Sequence, residues 1–386
     1  MASLSAGHLA TDLPQGAVPA LLVFLTDELD LSYTLVGAVV LVATFSSSIV
    51  QPAFGLWSDR RGAMWLLPGG VLLAGIGVAL ASISPSYAFL LVAVLISGLG
   101  VAAYHPEGSK FAAYVSGTRR ASGMAVFSVG GNVGFGIGPL LASGLVVALG
   151  LGGGLLLVVP GLLVAALLIT ERRYLASFVP AGSMPGRLSS DPDRPRAFAL
   201  LQVVVMLRSV AHYGMFAFIP LWEHDVRGAS EAQATLLLSL FLITGAAGTL
   251  AGGPLADRFG RKPVIIATLS ASVPLIFTYV LVGGVVGYIC IALAGAVIIG
   301  TFGVTTVLSQ EYLPSRIGTA AGLSIGLAIG LGGIFALSLG GLADSVGLET
   351  ALLVSAAGPA LGALIAIGLP RERPVRMVES AAASTP

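Results

Sequence analysis

Charge is scarce in this chain of 386 residues. Asp, Glu, Lys and Arg make up 10% of it, against 56% hydrophobic residues. A soluble domain of this length needs far more charge to cover its surface, so the composition excludes one and points to a chain that crosses a membrane repeatedly. The net charge of +1 leaves no strong excess of either sign, which argues against a nucleic-acid partner. Cysteine occurs once, as Cys290 in an apolar run, so no intramolecular disulfide can form. There is no Gly-x4-Gly-Lys-Ser/Thr loop and no Cys/His cluster at metal-ligand spacing, so neither nucleotide hydrolysis nor a metal or other cofactor is expected. The opening Met1-Ala2-Ser3-Leu4-Ser5 carries no Lys or Arg ahead of the first apolar stretch, and no cleavable signal peptide is expected.

Long apolar runs are plentiful. A membrane span needs about 20 mostly apolar residues. On that rule the chain divides into about twelve segments, near 6–26, 33–57, 64–83, 87–113, 121–148, 153–170, 197–221, 231–254, 263–282, 286–311, 317–342 and 350–369. Connectors are short except for 171–196, which is rich in Arg, Pro, Ser, Asp and Gly and reads as a polar linker. The expected organisation is an all-α membrane protein with a six-helix bundle over 1–170, a linker over 171–196, a second bundle over 197–370 and a tail over 371–386. With the N-terminus on the cytoplasmic side, 16 of the 19 basic residues fall on that face. Asp27, Glu28, Asp30, Glu223 and Asp225 fall on the other. Positive charge marks the cytoplasmic loops, so both termini are expected inside.

One short loop occurs twice. Gly55-Leu56-Trp57-Ser58-Asp59-Arg60-Arg61-Gly62 and Gly253-Pro254-Leu255-Ala256-Asp257-Arg258-Phe259-Gly260-Arg261-Lys262 share Gly, Asp, Arg and Gly at the same offsets, 198 positions apart. Each lies between apolar runs. An Asp at a helix mouth can cap the positive end of a neighbouring helix and pair with a nearby Arg, a contact that could form and break as that side closes and opens. The plainer alternative is that Arg60, Arg61, Arg261 and Lys262 only anchor the topology. The repeated loop resembles the signature loop of the major facilitator superfamily. That resemblance implies twelve transmembrane helices in two pseudo-symmetric six-helix bundles. It also makes Gly55, Asp59, Arg60, Gly253, Asp257, Arg258, Gly260 and Arg261 gating residues rather than substrate ligands. The first copy departs from the family pattern, with Ala63 and Met64 in place of the basic pair, which implies a weaker latch.

Glycine is abundant, at 52 residues. Gly130, Gly134 and Gly138, followed by Pro139, recur at every fourth place in the fifth segment, and Gly322, Gly326 and Gly330 do so in the eleventh. Such stripes let helix backbones approach closely in a bilayer. They serve either as ordinary helix packing or as a seam on which the two halves rock.

Ionisable residues inside the segments are few, and such residues usually face a cavity or a partner. Arg208 sits near the middle of the seventh segment, too deep to reach the interface easily. It suits either a pair with a carboxylate or a fixed positive charge for an anionic substrate, and His212 lies one turn further on the same face. His8 and Asp12 are also four apart. A lone carboxylate in hydrocarbon tends to hold a proton, which makes Asp12 the better candidate for proton coupling. In Tyr104-His105-Pro106-Glu107-Gly108-Ser109-Lys110 the Pro and Gly are expected to kink the helix around Glu107. Glu107 and Lys110 are close enough to neutralise each other, and His105 could relay protons. Glu311 reads as interfacial, and Asn132 as either interhelical glue or a ligand.

Several of these stretches together resemble the fosmidomycin resistance proteins: His8-Leu9-Ala10-Thr11-Asp12, Tyr104 to Lys110, Gly130-Gly131-Asn132-Val133-Gly134 with Gly138-Pro139, Leu207-Arg208-Ser209, and Gln310-Glu311-Tyr312-Leu313-Pro314. The resemblance implies a bacterial inner-membrane exporter, a proton antiporter for small anionic drugs. Its partners would be that small molecule, protons and the lipid bilayer, with a monomeric chain. Arg208, His212, His105, Asn132 and Tyr104 are the expected substrate residues, and Asp12, Glu107 and His8 the expected proton carriers. Gly134 to Ser143 approximates the fifth-helix motif of antiporters in the superfamily, but ends in Ala142-Ser143 rather than two glycines. The alternatives are an uptake symporter, a uniporter and, in a different class, a non-transporting sensor or a membrane enzyme. A sensor would need a signalling domain larger than 171–196 or the stretch after Pro370, and an enzyme would need a catalytic cluster that the scattered His and acids do not form.

Overall fold

The computed structural model describes residues 1–61, 63–116, 120–178, 192–314 and 317–370, the side chains of residues 56, 59–61, 120–122, 125, 317–319, 321, 322 and 325 excepted. Among the described residues there is no strand. The helices are α1 (Ala2–Leu29), α2 (Tyr33–Ser48), α3 (Gln51–Arg61), α4 (Leu66–Ser82), α5 (Tyr87–Ser116), α6 (Arg120–Leu149), α7 (Val158–Thr170) and α8 (Arg172–Ala176). After the linker come α9 (Pro195–Leu221), α10 (Glu231–Phe259), α11 (Arg261–Val282), α12 (Gly284–Tyr312), α13 (Ile317–Val346), α14 (Leu348–Ser355) and α15 (Ala357–Ala366). Among the described residues, eleven helical stretches are long and apolar enough to cross a membrane, and α4, with 17 residues, is a shorter apolar helix in the place of the twelfth. The outer surface is apolar, with Leu163 67% and Val285 74% exposed, as side chains facing lipid tails should be.

Three expected segments are not single α-helices. The second stops at Ser48 and restarts as α3 at Gln51. Pro52 has no N–H for the ladder there, and the hydroxyls of Ser47 and Ser48 turn back to Thr44 O. The sixth begins as a 3-10 turn, Leu151–Leu157, through Gly152, Gly153 and Gly154 before becoming α7. The twelfth divides into α14 and α15, just ahead of Pro359. α5 runs without interruption through Pro106 and Gly108, so whatever bend they introduce there does not break the helix. The linker expected at 171–196 opens with α8 and closes with the start of α9, while its residues 179–191 and the expected tail 371–386 lie outside the described residues.

Glycine sets the close approaches. Gly130, Gly134 and Gly138 lie against the backbone of Ser5, Leu9 and Leu13, so this stripe holds α6 to α1 inside the first half. The seam reading of these three is therefore corrected: they are packing residues of one bundle, and Pro139 is buried in the same helix. The contact between halves runs instead along α2 and α13. Gly37 meets Ala336 and Leu337, Gly333 meets Leu41, and Gly340 meets Tyr33. Gly330 faces Ser48 across this seam, and Gly326 has open space around it. The side-chain surroundings of Gly322 lie outside the described residues. A second contact between halves sets Gly136 of α6 against Ile243 of α10.

Candidate functional site

The first site residues come from four helices, α1, α3, α5 and α6. His105 Nε2 on α5 lies 2.8 Å from Asp12 Oδ1 on α1, and His8 Nε2 lies 3.2 Å from Asp12 Oδ2. Gln15, one turn along α1, donates its amide to the same Oδ1 at 3.3 Å. The outer nitrogens of both imidazoles are also engaged. His8 Nδ1 lies 2.8 Å from Phe127 O, a group that can only accept, so this nitrogen carries a hydrogen. His105 Nδ1 faces the Gln51 amide nitrogen at 3.4 Å, so it accepts and its hydrogen sits on Nε2, donated to Asp12. His8 Nε2 then either donates to an ionised Asp12 or accepts from a protonated one, so the pair shares one proton across the 3.2 Å contact in both forms. Gly131 makes space for it, since a Cβ there would fall 2.6 Å from Asp12 Oδ2. The three side chains are 14–23% exposed, so water reaches them. Their donor atoms lie within 4.8 Å of one another, a spacing a small cation would also accept, and all are engaged in these hydrogen bonds.

The second group lies in the other half. Arg208 is buried at 2% exposure. Its Nη1 donates to Thr301 Oγ1 at a long 3.4 Å, and its guanidinium carbon lies 5.4 Å from the Phe302 ring centre. Its Nε has no hydrogen-bond partner, and no carboxylate pairs with it among the described residues. One turn on, His212 Nε2 is likewise buried without a partner. An arginine stays charged in a protein interior, so this is a positive charge held in an apolar setting with unused donor capacity.

A narrow cleft with room for about one water is lined by both halves: Gln15, Val40, Thr44 and Phe135 from one, Tyr213 and Phe216 from the other. Phe135 stacks on Phe216 at 5.2 Å across it. The hydrogen-bonded cluster reaches the cleft through Gln15. His212 reaches it through the neighbouring Tyr213, whose ring lies 4.8 Å away and fits against Gly332.

The two faces of the molecule are fastened differently. On the acidic face, Asp344 of α13 accepts from the backbone N–H groups of Tyr33 and Thr34, both at 2.8 Å, and from Thr34 Oγ1 at 2.5 Å. A carboxylate of one half thereby caps the first turn of α2 in the other. Tyr33 Oη also donates to Asp225 at 3.0 Å. On the basic face, Asp257 is exposed, and no hydrogen bond or ion pair joins it to the described residues. Arg258 lies over Phe259, Arg261 pairs with Glu311 at 2.9 Å, and Lys262 donates to Ile367 O and Leu369 O at the end of α15. Gly260 has φ 88°, a left-handed value that favours glycine as it ends α10. Gly253 has open space where a Cβ would be. The side chains of Asp59 and Arg60 lie outside the described residues. Gly55 sits beside Pro106, and Ser58 donates to Glu107.

The expected substrate residues do not gather in one place. Arg208 and His212 are together in the second half. His105 instead joins His8 and Asp12. Asn132 is half-buried on α6, and no hydrogen bond is described for it. Tyr104 is corrected as a ligand: it is fully buried, with its hydroxyl on Leu4 O at 2.6 Å, and it packs where glycines 7 and 108 make room. Glu107, expected as a proton carrier, is buried in an ion pair with Lys110 at 2.7 Å and takes no part in the Asp12 cluster. Gln15, Gln51, Phe135, Tyr213, Phe216 and Asp344 were missed. Gln15 was findable, being three residues from Asp12 on one helix face. The others sit in polar or apolar stretches that carry no spacing signal.

A membrane bundle of two matched six-helix halves, with a cleft between them and charged loops repeated on one face, defines a secondary transporter. The chain belongs to the Major Facilitator Superfamily, whose profile matches residues 4–336. It is 34% identical to an uncharacterized MFS-type transporter of Bacillus subtilis (strain 168), over 96% of this chain and 92% of that one. It is 32% identical to the fosmidomycin resistance protein of Escherichia coli (strain K12), over 97% and 93%. Among solved structures, the fold is shared with a bacterial homologue of the human lysosomal transporter Spinster, in an inward-facing and occupied conformation. That match has TM-score 0.80 at 15% identity, over 96% of this chain and 97% of that one. The chain is a multi-pass membrane transporter of small molecules and not an enzyme.

Proposed function

We propose that this transporter is a proton-coupled antiporter that exports small anionic compounds, of the kind fosmidomycin represents, across the bacterial inner membrane by alternating access. The single observation that carries the reading is Arg208, a buried positive charge without a carboxylate partner among the described residues, set apart from a water-reachable proton network at Asp12. An unpaired buried charge is costly to keep, and an anionic cargo would supply the missing partner. The similarity to the fosmidomycin resistance protein supports a phosphonate-like cargo. Protons entering from outside load the Asp12–His8–His105 chain as the anion leaves, and their release inward resets the site. Glu107, already paired with Lys110, has a holding role on the basic face.

The basic face is cytoplasmic in this reading, which places both termini inside. The halves 1–170 and 197–370 rock against each other in a monomer, with 171–196 as their cytoplasmic linker and 371–386 as the tail. Asp344 and Asp225 hold the acidic side shut, and the Asp59 and Asp257 loops latch the basic side in the opposite state. The test is proton movement in proteoliposomes, read with a pH-sensitive dye on adding fosmidomycin. Wild type should respond, while Arg208→Ala and Asp12→Asn should not. Cargo movement indifferent to the pH gradient would replace this reading with a uniporter, and cargo moving in with protons would replace it with an uptake symporter.

A further inference from the structure

The helix that carries the first charged loop, α3, is docked on α5 at three successive levels. At its inner end Gln51 donates to His105 Nδ1 at 3.4 Å, and the same amide nitrogen donates to Ser47 O at 2.5 Å. One turn on, Gly55 lies against Pro106. One further turn on, buried Ser58 donates to Glu107 and accepts from Lys110, which itself pairs with Glu107 at 2.7 Å. Behind these contacts the helical ladder is interrupted between Ser48 and Gln51, so α3 is joined to α2 by a break and not by a continuous helix. Breaks of this kind absorb changes in backbone angle, while the segments on either side stay rigid.

We propose that α3 is an arm joining the charged loop to the proton site, with Gln51 as the positioning residue that occupies His105 Nδ1 while Nε2 donates to Asp12. The inference rests on the proton-coupled reading above. While α3 is docked, the Gln51 amide hydrogen occupies Nδ1, so the ring hydrogen stays on Nε2 and the bond to Asp12 is kept. When the loop moves and carries α3 with it, Nδ1 is released and can take up a proton while Nε2 still donates to Asp12. Asp12 holds Nε2, the His8 and Tyr104 rings pack at 5.1 and 6.4 Å, and among the described residues Gln51 is the hydrogen-bond partner at Nδ1. Gate position and proton binding are thereby linked through one side chain.

The chain has only four histidines, His8, His105, His212 and His224, so imidazole 15N spectra of the full protein in lipid nanodiscs can be assigned by replacing each in turn. Wild type should show His105 with a bare Nδ1 and a protonated Nε2. Gln51→Leu should raise the share of His105 that carries hydrogen on both nitrogens, and Gln51→Glu, whose carboxylate can only accept, should raise it further. Ser58→Ala, at the far end of the arm, should change the His105 signal in the same direction as Gln51→Leu. Cargo-driven proton flux in Gln51→Leu should drop about threefold to tenfold, the worth of one hydrogen bond, with cargo binding changed by less than about twofold. A His105 signal unmoved by Gln51→Leu overturns the positioning role, and one unmoved by Ser58→Ala overturns the arm. Neither spectrum depends on proton coupling, so wild type that carries cargo without protons would sink the functional reading and leave this test standing.

Discussion

Replacing Asp344 with alanine tests whether the acidic face is held shut by a carboxylate. Asp344 accepts three hydrogen bonds from Tyr33 and Thr34, so Asp344→Ala strips the first turn of α2 of its cap from the other half. The loss of a helix cap costs about 0.5–2 kcal/mol. A charge at a helix N-terminus adds about 0.3–1 kcal/mol when exposed, as Asp344 is. Two things limit the total. Ser32, the N-cap of α2, still accepts from Leu35 N, and water reaches the freed amides. A net loss of about 1–2 kcal/mol shifts the balance between closed and open acidic faces about fivefold to thirtyfold. The assay is electron–electron distance measurement between spin labels at Glu28→Cys and Ser345→Cys, in a Cys290→Ser background that removes the sole natural thiol. The variant should gain a longer-distance population at the expense of the short one, and Asp344→Asn should fall between. Unchanged distances, or a shift to shorter ones, would refute the capping argument.

Three further outcomes follow from the same geometry. Arg208→Met should raise the melting temperature while abolishing anion transport. It removes a buried unpaired charge at a gain of about 1–4 kcal/mol, and Thr301 keeps its bond to Ile298 O. Gly131→Ala should cut proton flux sharply, because the added methyl would displace the Asp12–His8 pair; flux equal to wild type would show that this pair is not in the path. Tyr104→Phe should cost about 1 kcal/mol of stability in thermal unfolding, from the lost bond to Leu4 O, and leave cargo affinity unchanged.

What the sequence determined by itself was the class of the chain. Scarce charge, twelve apolar runs, and Asp59 and Asp257 in loops 198 positions apart are local properties, and each has one physical reading that needs no neighbour. The same holds for contacts within a turn or two of one helix, such as Glu107 with Lys110 or His8 with Asp12. Tertiary structure decided everything that depends on which helices touch. It brought His105, expected as a cargo residue that could also relay protons, to Asp12, across 93 positions of chain. It put the Gly130 stripe on α1 inside one half and made α2 and α13 the seam, because a stripe of small residues specifies close packing but not against what. It left Arg208 without a carboxylate among the described residues, an outcome the sequence held open because an acid on any of eleven other segments could have met it. And it joined Asp344 to Thr34, 310 positions away, since a cap is chosen by where a helix end lies in space and not by where it lies in the chain.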